Sequence, residues 1–234
     1  ITHYQAVNAL SKYIPKNKII ATGSSGLAIE QFYTFFKNKI NQRIFLTSGL
    51  GSMGFGIPAS IGASFGSKNK EMFLVEGDGS FHMNLQDLAV ISKFNLPICI
   101  FIFNNNGYAS IRNTQKNYFK NRYCGTGPEA NLSFPNYEKI CKAYKIKHYL
   151  IKDTKDLIKI KFLANKVKYP KLVEIKLKKN EILSPKVFAL IKPDKEIISM
   201  PIEDMSPLLK IDELKSNLLI PLSKSSLLAR DLKR

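Results

Sequence analysis

The sequence predicts an α/β protein: a doubly wound, mostly parallel sheet with helices on both faces over residues 1–182, then an irregular C-terminal tail over 183–234. Three observations predict it. Short strand-like runs alternate with helix-like runs of about ten residues, the pattern of right-handed crossovers joining parallel strands. One run, Pro97–Phe103, is apolar throughout with no alternation, as a strand covered on both faces must be. From about Leu183 the pattern stops, interrupted by Pro185, Pro193, Pro201, Pro207 and Pro221.

Each element can be placed in turn. Residues 2–14 carry helical spacing, Lys18–Ala21 reads as a short strand, and Ile29–Phe36 as a second helix. Arg43–Thr47 is a strand running into Ser48-Gly49-Leu50-Gly51-Ser52-Met53-Gly54-Phe55-Gly56. The small apolar residues of Ile57–Phe65 suit a helix packed closely on a sheet. Met72–Glu76 is a strand and Leu85–Phe94 a helix, ahead of the apolar strand already described. Helices at Tyr108–Tyr118 and Tyr137–Tyr144 follow, then a strand at Lys147–Ile151, a helix at Lys155–Ala164 and a strand at Lys171–Lys176. In the tail only a short helix after Asp212 is expected.

Composition bounds the class of molecule. At 234 residues the chain is one large domain, or a domain with a tail, and can bury a sizeable core. An apolar share of 44%, with 15 Phe, excludes a disordered chain. No apolar run approaches the roughly 20 residues of a membrane span. The chain opens on Ile1 with no signal peptide in view, which fits a fragment or a processed product. A formal charge of +18 suggests nucleic acid, yet 23 of the 36 basic residues lie from Lys139 onward, mostly spaced singly, and only five of the 36 are Arg. Specific readers of nucleic acid concentrate Arg at base edges, so none is expected as a partner. Cys99, Cys124 and Cys141 form no C-x-x-C pair, and Cys99 falls in the apolar strand as a core residue. The set suits a reducing cytoplasm.

Chemistry gathers at two strand ends. Gly77-Asp78-Gly79-Ser80-Phe81 lies between a strand and a helix, and the next strand ends in Asn104-Asn105-Asn106-Gly107-Tyr108. A lone Gly-Asp-Gly is an ordinary turn. Here Asn105 follows Asp78 by 27 residues, one helix and one strand later, so neighbouring parallel strands bring the two segments together. They supply a carboxylate, amide oxygens and a close-approaching glycine carbonyl, all hard oxygen donors suited to Mg²⁺ beside phosphate oxygens. Gly79 and Ser80 add backbone N–H groups at a helix start, where diphosphate charge is stabilised.

Gly77-Asp78-Gly79 with Asn104-Asn105 at this spacing resembles the cofactor signature of thiamine diphosphate enzymes. The longer match, Leu46 to Ala59 and Gly77 to Gly107, is similar to the acetolactate synthase group, and the resemblance covers residues 5–180. It implies Mg²⁺ held by Asp78, the Asn105 side chain and the Gly107 carbonyl. It implies thiamine diphosphate against Gly51, Ser52, Met53, Gly77, Gly79, Ser80, Asn105 and Tyr108, with Met53 under the thiazolium ring. A plain core methionine is the alternative for Met53. The implied activity is decarboxylation of a 2-keto acid such as pyruvate, with transfer of the two-carbon unit to a carbonyl acceptor. The activating Glu of the family lies on a pyrimidine-binding domain from a second subunit, so no catalytic residue is assigned here. Half of an active site in a homodimer or tetramer is expected. FAD in the full-length enzyme is compatible with the resemblance but is not legible in these residues.

Departures from the group restrict what carries over. There is no Trp, and the stretch where those synthases carry one reads Ser110-Ile111-Arg112-Asn113-Thr114-Gln115. An Asp and a His typical of the group are replaced by Ala21 and Ser25. The tail stretch Ile202-Glu203-Asp204-Met205-Ser206-Pro207 resembles relatives encoded beside surface-polysaccharide genes, which implies a keto sugar as acceptor. His82, next to the metal loop, is expected on a helix surface or in the core rather than as a proton shuttle. Two other classes compete. Gly49, Gly51 and Gly54 spell G-x-G-x-x-G with Glu76 22 residues on, an imitation of an NAD(P)-binding oxidoreductase with Glu76 on the ribose. The third is a non-catalytic binding fragment that kept the fold.

Overall fold

A computed structural model of the protein describes residues 1–23, 26–68, 70–191 and 197–230. The chain divides into two compact units, Ile1–Ile182 and Leu183–Arg234.

The first unit is built on a six-stranded sheet. Its strands are β1 (Ile19–Thr22), β2 (Arg43–Phe45), β3 (Met72–Gly77), β4 (Ile98–Asn104), β5 (Lys147–Ile151) and β6 (Lys171–Lys176). They lie in the order β2-β1-β3-β4-β6-β5 and every pairing is parallel. The helices are α1 (His3–Tyr13), α2 (Leu27–Phe35), α3 (Gly56–Gly66), α4 (Asp78–Phe81), α5 (Leu88–Lys93), α6 (Ala109–Tyr118), α7 (Tyr137–Ala143) and α8 (Lys159–Ala164).

The apolar run of β4 is explained by its two covered faces. Cys99, Phe101 and Phe103 join a cluster with Ala6, Leu10 and Phe32 of α1 and α2 and with Val173 and Ile175 of β6. Ile98, Ile100 and Ile102 point the other way, into a cluster with Ile57 of α3, Leu88 and Ile91 of α5, and Tyr137 and Cys141 of α7. Alternate residues of one strand thus feed two cores, so the strand has no polar face to show. Entry into the domain is fixed locally. Thr2 accepts from the Gln5 amide while the Gln5 side chain accepts from the Thr2 amide, a capping box that starts α1.

Several expected boundaries move, each for a visible reason. The strand expected at Arg43–Thr47 ends at Phe45, because Leu46 and Thr47 enter the glycine-rich turn. The helix expected at Leu85–Phe94 begins as a 3₁₀ segment, His82–Asp87, and becomes α-helical only at Leu88. Asn84 breaks it with φ −134° and ψ 38°. The helix expected at Lys155–Ala164 likewise opens with a 3₁₀ turn before α8.

The second unit holds an antiparallel pair, β7 (Ala189–Ile191) with β8 (Ile197–Ser199), and two helices, α9 (Ile211–Asn217) and α10 (Lys224–Ala229). The helix expected after Asp212 is α9; the hairpin and α10 are additional regular structure. Ser223 caps α10 by accepting from the Ser226 amide, and Arg230 forks onto Asp204 at 2.8 and 2.6 Å. Pro193 lies outside the described residues. Among the described residues no helix is long and apolar enough to cross a membrane, and the three cysteines are free, with Cys99 buried.

Candidate cofactor and cation site

The site forms where β3 and β4 end side by side. Gly77 pairs with Phe103, so Asp78 leaves the sheet level with Asn104, the last residue of β4, and Asn105 follows directly beyond it. Asp78 opens α4 and is 2% exposed. Its Oδ1 accepts from the Gly79 amide at 2.8 Å and its Oδ2 from the Gly107 amide at 3.0 Å. Burial pushes its carboxyl up to about 6, against the downward pull of the Gly107, Gly79 and Asn106 amides and of the Arg112 charge.

Asn105 is 5% exposed, and its Oδ1 has no hydrogen-bond partner among the described residues. A buried amide oxygen left unmatched is costly, so the position favours an incoming electrophile or donor. Asn106 takes the left-handed conformation at φ 62° and its amide donates to Asn104 Oδ1 at 3.0 Å. Gly107 has φ 142°, and a Cβ there would lie 2.1 Å from the Thr126 carbonyl oxygen. Its own carbonyl accepts from the Ala109 amide at 3.2 Å, which leaves a second lone pair. Tyr108 lies across Gly79, where a Cβ would come within 2.3 Å of its ring. Backbone therefore approaches its neighbours as closely as glycine allows.

A cavity of about 210 Å³ opens above these groups. Of the residues picked from sequence, Met53, Gly77, Asp78, Gly79, Ser80, Asn105, Gly107 and Tyr108 line it. Gly51 and Ser52 do not; Gly51, at φ 61°, donates to Thr47 in the turn that delivers Met53, and Ser52 is exposed. Ser80 turns its hydroxyl to the glycine loop, accepting from the Gly54 amide at 2.8 Å, and Asn84 donates to the Gly54 carbonyl at 2.9 Å. The two side chains grip Gly54 from both sides, which fixes Met53 beside α4. Gly26, Ala28, Ala109, Ser110 and Ile111 also line the cavity and are not among the residues read from sequence. The available signals are Gly26, with φ 86° at the start of α2, and the departure at Ser110-Ile111-Arg112. The first turn of α6 faces the cavity, and N–H groups at a helix start favour an anion there.

The neighbouring residues have other roles. His82 stacks on Phe134 at 4.5 Å and meets the Tyr137 hydroxyl at 3.2 Å; it does not line the cavity. Burial lowers its pKa. Ala21 is a buried core residue on β1, and Ser25 lies outside the described residues. Glu76 is fully buried, with its oxygens where side chains on Gly23 and Gly56 would stand. Burial raises its carboxyl to about 7 against the pull of Ser80, Gly77 and Gly56. It has no path to a ribose, which removes the residue that the dinucleotide alternative needs. Among the described residues no three His, Cys, Asp or Glu side chains converge as a metal cage. One carboxylate with amide and carbonyl oxygens is instead the donor set that Mg²⁺ accepts when phosphate and water complete the shell.

Behind the Asn-rich loop, Glu174 of β6 accepts from Asn104 Nδ2 at 2.6 Å and Lys176 at 2.6 Å, and lies 3.0 Å from His148 Nε2. Burial raises its pKa, but the His148, Lys176 and Asn104 contacts outweigh this and hold it at about 2. A depressed carboxylate stabilises the fold above its unfolded value near 4.5, and this is lost as the pH falls through about 2. Unfolding of wild type and Glu174→Gln across this window should therefore show the wild-type advantage shrinking with acid. A constant difference would contradict it.

Known proteins resemble this chain in sequence and fold. Residues 21–175 match the family model described as thiamine pyrophosphate enzyme, C-terminal TPP binding domain, and the chain belongs to that family. Among curated relatives, the acetolactate synthase large subunit of Lactococcus lactis is 29% identical over 155 residues, 65% of this chain and 26% of that protein. Acetolactate synthase 1 of Nicotiana tabacum is 37% identical over 145 residues, 59% of this chain and 21% of that protein. The mitochondrial acetolactate synthase of Schizosaccharomyces pombe is 30% identical over 172 residues, 73% of this chain and 25% of that protein. The chain thus spans about a quarter of the length of these relatives. A solved thiamine diphosphate-dependent 4-hydroxybenzoylformate decarboxylase from Rhodococcus jostii superposes with a TM-score of 0.64 at 20% identity, covering 76% of this chain and 33% of that one. That likeness speaks to the fold. Residues 21–175 thus form a thiamine pyrophosphate enzyme C-terminal domain, similar in sequence to acetolactate synthases.

Proposed function

We propose that this domain holds thiamine diphosphate through a Mg²⁺ ion bound by Asp78, the Asn105 side chain and the Gly107 carbonyl. The observation that carries it is the buried Asn105 Oδ1, unmatched among the described residues, in the lining of the same cavity as the buried Asp78 carboxylate. Gly77, Gly79, Ser80 and Tyr108, which line the cavity, would hold the diphosphate and Met53 the rings, with Gly51 and Ser52 acting through the turn that places Met53. When bound, thiamine diphosphate supplies the nucleophilic carbon and the electron sink for cleavage of a 2-keto acid. The chain's own share is to bind the diphosphate, orient the ring and exclude water from the buried donors.

Beyond this, we infer an acetolactate synthase-like lyase and transferase that decarboxylates a 2-keto acid, pyruvate in the first instance, and passes the two-carbon unit to a carbonyl acceptor. A keto sugar of surface-polysaccharide synthesis is the acceptor suggested by the tail stretch Ile202–Pro207. The activating Glu comes from the pyrimidine-binding domain of a second subunit in a cytoplasmic homodimer or tetramer. The relatives' names and the cavity's oxygen donors support this reading. The alternatives separate by ligand. Thiamine diphosphate with Mg²⁺ should raise the melting temperature of the complete enzyme, by about 2.7 kcal/mol of stability at a hundredfold excess over Kd. NAD and NADP should leave it unchanged. The reverse outcome would restore the oxidoreductase alternative, and no response to either would favour a non-catalytic fragment.

A further inference from the structure

We propose that Arg112 is the positioning residue of the cation site, fixing by its guanidinium fork the backbone path that presents Asn105 and Gly107. This rests on the assignment of Asp78, Asn105 and Gly107 as ligands. Arg112 stands one turn into α6 and is only 4% exposed. Burying a guanidinium is costly unless its donors are matched; here both Nη groups are matched, while Nε has no hydrogen-bond partner among the described residues. Its Nη1 donates to the Lys179 carbonyl at 2.7 Å, and its Nη2 donates to Thr126 O at 2.9 Å and Asn106 O at 3.2 Å. The nearest carboxylate, Glu129, is 3.7 Å away and 38% exposed, so the fork is committed to carbonyls rather than to a buried ion pair.

Those carbonyls come from three segments distant in sequence: the loop after β4, the loop between α6 and α7, and the chain following β6. The Thr126 oxygen is shared. The Tyr108 amide also donates to it, at 3.1 Å, and it is the atom that forbids a Cβ on Gly107. With Asn106 O and Thr126 O both held by one planar group, residues 106–108 have a single path. That path brings the Gly107 amide to Asp78 Oδ2 at 3.0 Å. A competing account gives Arg112 only a charge effect, which would oppose a second cation nearby. The direct bonds to the loop outweigh it, because the guanidinium hydrogen-bonds to the Asn106, Thr126 and Lys179 carbonyls and not to Asp78.

The test is the affinity of the intact protein for Mn²⁺ in the presence of thiamine diphosphate, read from the electron paramagnetic resonance signal of free Mn²⁺. Asp78→Ala, Arg112→Met and Arg112→Lys are compared with wild type, each well below its melting temperature. Arg112→Lys keeps the charge but loses the fork, and it decides the matter alone if Arg112→Met does not fold. Both Arg112 variants should bind Mn²⁺ about tenfold more weakly or worse, as expected when charge-assisted bonds to the loop are lost. Asp78→Ala should lose measurable binding. Wild-type affinity in Arg112→Lys, or tighter binding in Arg112→Met, would show that charge and not position is at work and would overturn the inference. Undiminished Mn²⁺ binding in Asp78→Ala would instead sink the ligand assignment itself.

Discussion

Asp78→Ala should reduce the affinity of the complete enzyme for thiamine diphosphate and Mg²⁺ at least about tenfold, or ~1.4 kcal/mol. The substitution removes the single carboxylate from a site whose other proposed ligands are neutral oxygens, and Mg²⁺ is held by charge and octahedral geometry. It also frees the Gly79 and Gly107 amides, which donate to Asp78 at 2.8 and 3.0 Å. Those amides fix the turn after β3 and the loop after β4 relative to each other. The loss should therefore exceed what an exposed ligand would give. Calorimetry with Asp78→Asn separates the two contributions, since the amide keeps an acceptor for one backbone N–H but not the charge. Equal binding by wild type and Asp78→Ala would refute the assignment.

Gly107→Ala should be strongly destabilising. Its φ of 142° is a conformation that L side chains rarely adopt, and the added Cβ would stand 2.1 Å from a backbone oxygen that Arg112 and Tyr108 both hold. Backbone strain and overpacking each cost about 1–3 kcal/mol, so a loss of about 3 kcal/mol is expected. Gly125→Ala is the control. Gly125 also has positive φ, 63°, but a Cβ added there would meet nothing within 4 Å, so only about 1 kcal/mol should be lost. Denaturant unfolding of the two variants measures the difference. If both cost the same, the close approach at Gly107 carries no energetic weight.

Much of this arrangement is legible in the sequence because it rests on local signals. The unbroken apolar run of β4 declares a parallel strand with two covered faces, and its two core clusters are the physical cause. The 27-residue step from Asp78 to Asn105 places two loops together because one crossover returns the chain to the neighbouring strand. What escapes depends on contacts between segments far apart in sequence. The order β4-β6-β5 at the sheet edge has no periodic signature. Asn84 looks like the start of an ordinary helix, yet its side chain turns aside to hold Gly54. Arg112 is one polar residue in a polar stretch, and it is buried by three carbonyls that no spacing rule reveals. Gly51 and Ser52 belong to the glycine-rich match, but the turn at Gly51 directs the chain so that Met53, and not its predecessors, faces the cavity.

The most direct measurement is a crystal structure of the complete enzyme with thiamine diphosphate and Mn²⁺, using the anomalous scattering of manganese to place the ion. One anomalous peak is expected in contact with the Asp78 carboxylate, Asn105 Oδ1 and the Gly107 carbonyl, with diphosphate density beside Gly79 and α6. A peak away from Asp78 and Asn105, or diphosphate bound with no metal between it and these residues, would contradict the assignment.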